Sequence, residues 1–168
     1  MYVRMINSKD TSLNHVPALL KVEGIGGIID RNLDIGAGKY TKATDYLWKN
    51  RVKNICYDPF NLSVEDNLKA LQQAASPGIG SITIANVLNV IWSKAEIWDL
   101  LKLAKTFSKG NYNAPVYISI YEGDRKGEGR TTKKGWQRNE KKKAYVYMLN
   151  EMFLSVESKP YGFICMDR

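Results

Sequence analysis

Two aspartates and two glycines mark the place where this chain could do chemistry. Asp34 closes the run Ile28-Ile29-Asp30-Arg31-Asn32-Leu33-Asp34 and is followed by Ile35-Gly36-Ala37-Gly38. Glycines at these two positions permit dihedrals and a close backbone approach that a β-carbon obstructs. Asp58, 20 residues beyond Gly38, ends a second run, Ile55-Cys56-Tyr57-Asp58, at about the distance where nucleotide-binding sheets carry a ribose-binding carboxylate. A strand entering a glycine turn, with a second strand ending in an acid, sets N–H groups and a carboxylate at one sheet edge. A nucleoside-containing cofactor can lie there. A dinucleotide would need a third glycine and room for a pyrophosphate over the following helix. Here Lys39-Tyr40-Thr41 follows; Tyr40 crowds that position, and Asp34 repels a phosphate. The turn therefore suits a cofactor without phosphates, with Asp34 accepting from an ammonium or hydroxyls.

Three further groups could act beside it. Asn86, after Ile82-Thr83-Ile84-Ala85, offers an amide or a backbone carbonyl to cofactor or substrate, or serves only as a turn residue before a helix. The segment 122–138 contains four glycines and the cations Arg125, Lys126, Arg130, Lys133, Lys134 and Arg138. Trp136 there could stack on a base and Gln137 read a hydrogen-bonding edge, or the tryptophan could simply anchor a solvated loop. Asp124 and Glu122 are candidate general bases, needed only if the acceptor must lose a proton.

The elements that must position these groups alternate. A strand over 28–34 leads to a helix from about Thr41 to Lys49, and a strand over 52–57 follows. Ser63 caps a helix that Pro77-Gly78 ends. A strand over 82–85 precedes a capping box, Ser93 to Glu96, and an amphipathic helix with Ile97, Leu100, Leu101 and Ala104 on one face. A strand over 116–121, the Gly-rich loop, a helix at about 139–153 and a hairpin of 154–157 with 162–166 complete the chain. Residues 1–27 read as an N-terminal extension in which Thr11 or Ser12 caps a short helix through Lys21. The alternation predicts one α/β domain, a Rossmann-like three-layer sandwich whose mainly parallel sheet ends in an antiparallel strand. Only 27 residues separate Asp58 from Asn86, so one βα unit is missing.

Composition narrows the chemistry. The net charge of +8 is concentrated, with 11 Lys/Arg against 4 Asp/Glu between Lys105 and Lys143, and 14 against 13 elsewhere. One segment is thus a candidate footprint for a polyanion such as nucleic acid. Lys141-Lys142-Lys143 opens a helix against the macrodipole, as a solvated face or a phosphate contact. The single histidine, His15, excludes a multi-histidine metal site. Cys56 and Cys165 lack metal-ligand spacing and read as buried free thiols, which favours a reducing cytoplasm. Neither a secretion signal nor a membrane span is expected.

The acid before Gly36-Ala37-Gly38, with Asp58 ending the next strand, resembles class I S-adenosylmethionine-dependent methyltransferases. That resemblance implies Asp34, Gly36 and Gly38 on the methionine side, Asp58 on the ribose, and Asn86 where the active site begins. Tyr57-Asp58-Pro59-Phe60, Asn86-Val87-Leu88-Asn89-Val90-Ile91, Gly123-Asp124, Thr132-Lys133-Lys134-Gly135-Trp136-Gln137-Arg138 and Tyr161-Gly162-Phe163-Ile164-Cys165-Met166-Asp167 are similar, in that order, to motifs of methyltransferases associated with DNA phosphorothioation systems and of related phage and bacterial proteins. The similarity spans roughly residues 29–167 in a reduced version of the fold. It implies a methyltransferase, with an anionic acceptor at Arg125, Arg130, Trp136, Gln137 and Arg138 and with Asp124 and Asn86 at the reacting centre. The Asn/Asp-Pro-Pro-Tyr/Phe motif of amino-methylating nucleic-acid enzymes is absent. A non-catalytic nucleic-acid-binding or regulatory module and a protein that cleaves S-adenosylmethionine stay open beside it.

Overall fold

The computed structural model describes residues 11–25 and 31–167. The α-helices among the described residues are α1 (Ala18–Val22), α2 (Lys42–Lys49), α3 (Val64–Ala75), α4 (Lys94–Gly110) and α5 (Val146–Met152). The strands are β1 (Arg31–Ile35), β2 (Lys53–Tyr57), β3 (Ser81–Ala85), β4 (Val116–Ser119), β5 (Arg130–Thr132), β6 (Gly135–Gln137), β7 (Ser155–Lys159) and β8 (Gly162–Met166). Six of them make one sheet in the order β2-β1-β3-β4-β8-β7. The first four run parallel, and β8 and β7 run antiparallel to their neighbours. This is an α/β fold compatible with a Rossmann-like sandwich. Residues 28–30 of the expected first strand, and 1–10 and 26–27 of the expected extension, lie outside the described residues.

Strand alternation divides the sheet into two unlike faces. Leu33, Ile35, Ile55, Ile82, Ile84, Val116 and Ile118 pack with Ala70 and Ala74 of α3, Ile97, Leu101 and Ala104 of α4, and Leu149 of α5. Covering this face, α3 and α4 start at serines whose hydroxyls accept from Asp66 N–H (3.0 Å) and Glu96 N–H (3.4 Å). The opposite face is covered by α1 and α2 through a smaller core of Leu19, Leu20, Leu47 and Val52. Between them the central strands present a buried polar row. Asn32 lies opposite Asn54 and Ser81, and Asp34 opposite Cys56 and Thr83.

Three local expectations are corrected. Thr11 and Ser12 do not cap a helix; α1 starts at Ala18, behind Pro17. The expected open loop at 122–138 contains a hairpin of β5 and β6, turning through Lys133 and Lys134. The expected helix at 139–153 starts late. Asn139 has φ +58°, residues 142–145 form a 3-10 turn, and α5 begins at Val146. The lysine run therefore lies outside α5. Its N–H at Lys142 is capped by Glu122 Oε1 at 2.6 Å, a partner 20 residues away that no local pattern announces. This bond, ahead of the nearby Arg125, holds the Glu122 carboxyl below its ordinary pKa. No helix among the described residues is long and apolar enough to cross a membrane.

Candidate functional site

A cavity of about 680 Å³ opens at the carboxyl ends of β1, β2 and β3, within the size range of small-molecule sites. Its base is the first βα turn. Gly36 and Gly38 take φ +79° and +75°, the left-handed region that L side chains avoid. A β-carbon on Gly36 would overlap the Val87 side chain, and one on Gly38 would stand 3.0 Å from Ser12 Cβ. The turn is tied to the neighbouring strand, because Gly36 N–H donates to the Tyr57 carbonyl at 2.7 Å. Gly38 N–H donates to Asp58 Oδ2 at 2.8 Å.

Asp58 is buried and its carboxylate is fully engaged by the protein. Oδ1 accepts from the N–H groups of Phe60 (2.9 Å) and Asn61 (3.0 Å), and Oδ2 from Gly38 N–H and Asn61 Nδ2 (3.0 Å). Four donors match the acceptor capacity of a carboxylate. The side chain thus clamps the two βα turns together.

Asp34, 5 % exposed, sits at the end of the polar row. Thr83 Oγ1 donates to Oδ1 (3.0 Å) and Asn54 Nδ2 to Oδ2 (3.2 Å). Behind them Asn32 Nδ2 donates to Asn54 Oδ1 (2.8 Å) and Thr83 Oγ1 (2.9 Å), and Ser81 Oγ donates to Asn32 Oδ1 (2.7 Å). Burial dominates this carboxyl and pushes its pKa up, against the pull of Asn54 and Thr83. Burial likewise raises the Cys56 thiol to about 11. A cation placed against Asp34 would reverse the penalty on its charge.

Asn86, at φ +57°, accepts from Ser119 Oγ through Oδ1 (3.1 Å). Asp34, Gly36, Gly38, Asp58, Asn86 and Trp136 therefore line one cavity, as does Tyr40. Asp124, Arg125, Arg130, Gln137 and Arg138 are not among its lining residues. Arg125 Nε pairs with Glu122 at 2.8 Å, and Arg130 with Asp124 at 3.6 Å. Gln137 links Asn89 Nδ2 (3.4 Å) to the Tyr121 carbonyl (3.3 Å). Arg138 is 6 % exposed and braces the backbone beside the cavity. Its Nη2 donates to the carbonyls of Ile91 (2.6 Å) and Trp92 (2.7 Å). Its guanidinium lies 5.0 Å from the Trp136 ring, which in turn meets Trp92 at 5.2 Å and 56°.

Several wall residues were missed from sequence. Ser12, whose Oγ accepts from Lys39 N–H at 3.3 Å, brings the N-terminal segment over the glycine turn. Trp92, Glu96, Asp99, Leu100 and Leu103 add a wall from α4 and the turn before it. The helical spacing of 96, 99, 100 and 103 was legible, but not that this face meets the cavity. The signal for the polar row is the alternation of positions 32 and 34, 54 and 56, and 81 and 83 with apolar neighbours in three strands.

Charge separates the two candidate regions. Four carboxylates, of Asp34, Asp58, Glu96 and Asp99, line the cavity, and no lysine or arginine does among the described residues. The described residues also contain no group of three or more metal-binding side chains. Compared with known proteins, the chain matches no family model, no curated protein and no solved structure.

Proposed function

We propose that this protein binds S-adenosylmethionine in the cavity above Gly36 and Gly38 and acts as a methyltransferase of reduced Rossmann-like architecture. The observation that supports this reading is the lining itself. It combines a glycine cradle with little room for a β-carbon, two strand-end carboxylates and apolar walls with no Lys or Arg among the described residues. A phosphate-bearing cofactor would meet repulsion there, of order 4 kcal/mol per unit charge pair at 4 Å near a protein surface. A cationic, phosphate-free nucleoside meets attraction instead. When bound, S-adenosylmethionine supplies an electrophilic methyl group.

The chain's own residues would do the rest. Asp34, oriented by Thr83 and Asn54, would hold the ammonium of the methionine part. Asp58 would take the ribose hydroxyls in exchange for the Asn61 amide, and Tyr57 and Phe60 would flank the base. Asn86 and the wall from 90–103 would receive the acceptor, aligned for direct attack. Asp124 and Glu122 are not among the lining residues and are engaged by Arg130 and the Lys142 N–H.

Calorimetric titration tests the reading. S-adenosylmethionine and its demethylated product should both bind, and Asp34→Ala should weaken the cationic cofactor most. Absence of heat and of thermal shift at millimolar ligand would refute it. A second reading, a module that binds a polyanion without methyl transfer, draws on the exposed Lys126, Lys133, Lys134, Lys141 and Lys143 outside the cavity. Salt-dependent nucleic-acid binding with no cofactor affinity would select it.

A further inference from the structure

We infer that the wall of the cavity built from Trp92 and α4 recognises a cationic, amine-bearing group, and that the cations of the basic hairpin do not serve this pocket. The inference rests on the reading above for the cofactor's place at the glycine turn, and it assigns the ligand class of the remaining wall.

Trp92 carries the first part. It is 62 % exposed, yet its position is built rather than loose. Arg138 holds the 91–92 backbone through two hydrogen bonds, and Arg138 N–H donates to the Asn89 carbonyl at 2.8 Å. Asn89 in turn accepts from Tyr121 N–H through Oδ1 at 3.3 Å. Trp136, buried against Gly129 and Arg138, backs the Trp92 ring. Because Arg138 already covers Trp136, the accessible aromatic surface of the pair is that of Trp92. An aromatic face held rigidly at the edge of a cavity is a cation-binding element.

Glu96 carries the second part. It lines the same cavity from the first turn of α4, and the other carboxylate of that wall, Asp99, shares its charge with Lys102 at 3.2 Å. Leu100 and Leu103 continue the face as apolar surface. An aromatic ring, a carboxylate and an apolar floor together accept an ammonium with a hydrophobic stem. They offer a phosphate nothing, since the cations of the hairpin are paired with Glu122 and Asp124, buried with Arg138, or outside the lining.

Three probes sharing one ring decide the matter: benzylammonium, benzyl alcohol and benzyl phosphate, titrated by calorimetry with and without saturating S-adenosylhomocysteine. Benzylammonium should bind best and benzyl phosphate worst under both conditions. Glu96→Gln should weaken benzylammonium about fivefold while leaving benzyl alcohol unchanged, and Trp92→Ala should weaken benzylammonium by a similar factor and benzyl alcohol less. Lys133→Ala should change none of the three. Benzyl phosphate binding as tightly as benzylammonium, no binding of any probe, an inert Glu96→Gln, or displacement of benzylammonium by S-adenosylhomocysteine would each overturn the proposal. Absence of S-adenosylhomocysteine binding alone would count against the cofactor reading. The order of the probes measured without it would still judge the wall.

Discussion

The cavity and the hairpin of β5 and β6 lie in contact across the 88–92 turn, yet they treat charge in opposite ways. The cavity gathers carboxylates, buries two of them and surrounds them with N–H, hydroxyl and amide donors from the protein. The 122–143 segment around the hairpin carries nine Lys/Arg against four Asp/Glu, leaves most of these cations in solvent and pairs Arg125 and Arg130 with neighbouring acids. Buried charge needs an organised shell, whereas solvated charge is held by water and contributes little to stability. A net charge of +8 therefore says little about what the pocket accepts. The one hairpin cation that is buried, Arg138, belongs by its contacts to the pocket's wall.

Removing Asp58 should break the cavity side most severely. Asp58→Ala strips four donors of their acceptor and separates the two βα turns. A loss of about 3 kcal/mol in urea unfolding is expected, together with loss of S-adenosylmethionine binding. Asn61→Ala, which removes one donor only, should leave binding equal or tighter, and the pair of variants separates the clamp from the ribose contact.

Arg138→Ala sharpens the boundary between the regions. As a substrate contact its loss would spare the fold. As the brace of Ile91, Trp92 and Trp136 it should lower stability by about 2 kcal/mol and disturb the near-ultraviolet signal of the tryptophans.

The carboxyl of Asp34 provides a pH test with a defined sign. Its folded pKa is raised above the ordinary 3.8, so the folded state holds the proton more tightly than the unfolded chain. Its contribution is fully present below the ordinary value and is lost as pH rises through the raised one. Asp34→Asn should therefore gain stability relative to the parent as pH climbs through that window. Cation binding should move the other way, strengthening with pH in the parent and staying weak and flat in the variant. An unchanged difference between the two proteins across the acidic range would refute the assignment.

The smallest effect belongs to the hairpin. Lys133→Ala with Lys134→Ala should shift stability by less than about 0.5 kcal/mol and leave cofactor binding unaltered, while reducing any salt-dependent attachment to a polyanion.

Much of the scaffold was legible along the chain, for reasons of local physics. The helices over 64–75 and 94–110 follow from period and serine caps, the helix over 42–49 forms behind Thr41 without a side-chain cap, and the short strand-forming runs became β1 to β4 where they were expected. The Asp34-Gly36-Gly38 turn and Asp58 were readable because only glycine permits that backbone and because strand-end acids stand out. The 122–153 stretch was read less well. Its hairpin and late helix depend on Glu122 reaching Lys142 and on the 88–92 turn docking against β6, contacts across long separations.

By itself, then, the sequence determined an alternating α/β chain, a glycine turn after its first strand and the position of two carboxylates beside it. Tertiary structure alone decided that Asp58 is a clamp as well as a ligand candidate, that Ser12 meets the turn, and that the cations of the basic segment do not line the pocket. The reason is the range of the forces. Backbone dihedrals and hydrophobic period are written within a few residues, but a charge acquires its role from the donors and burial that the folded chain brings to it.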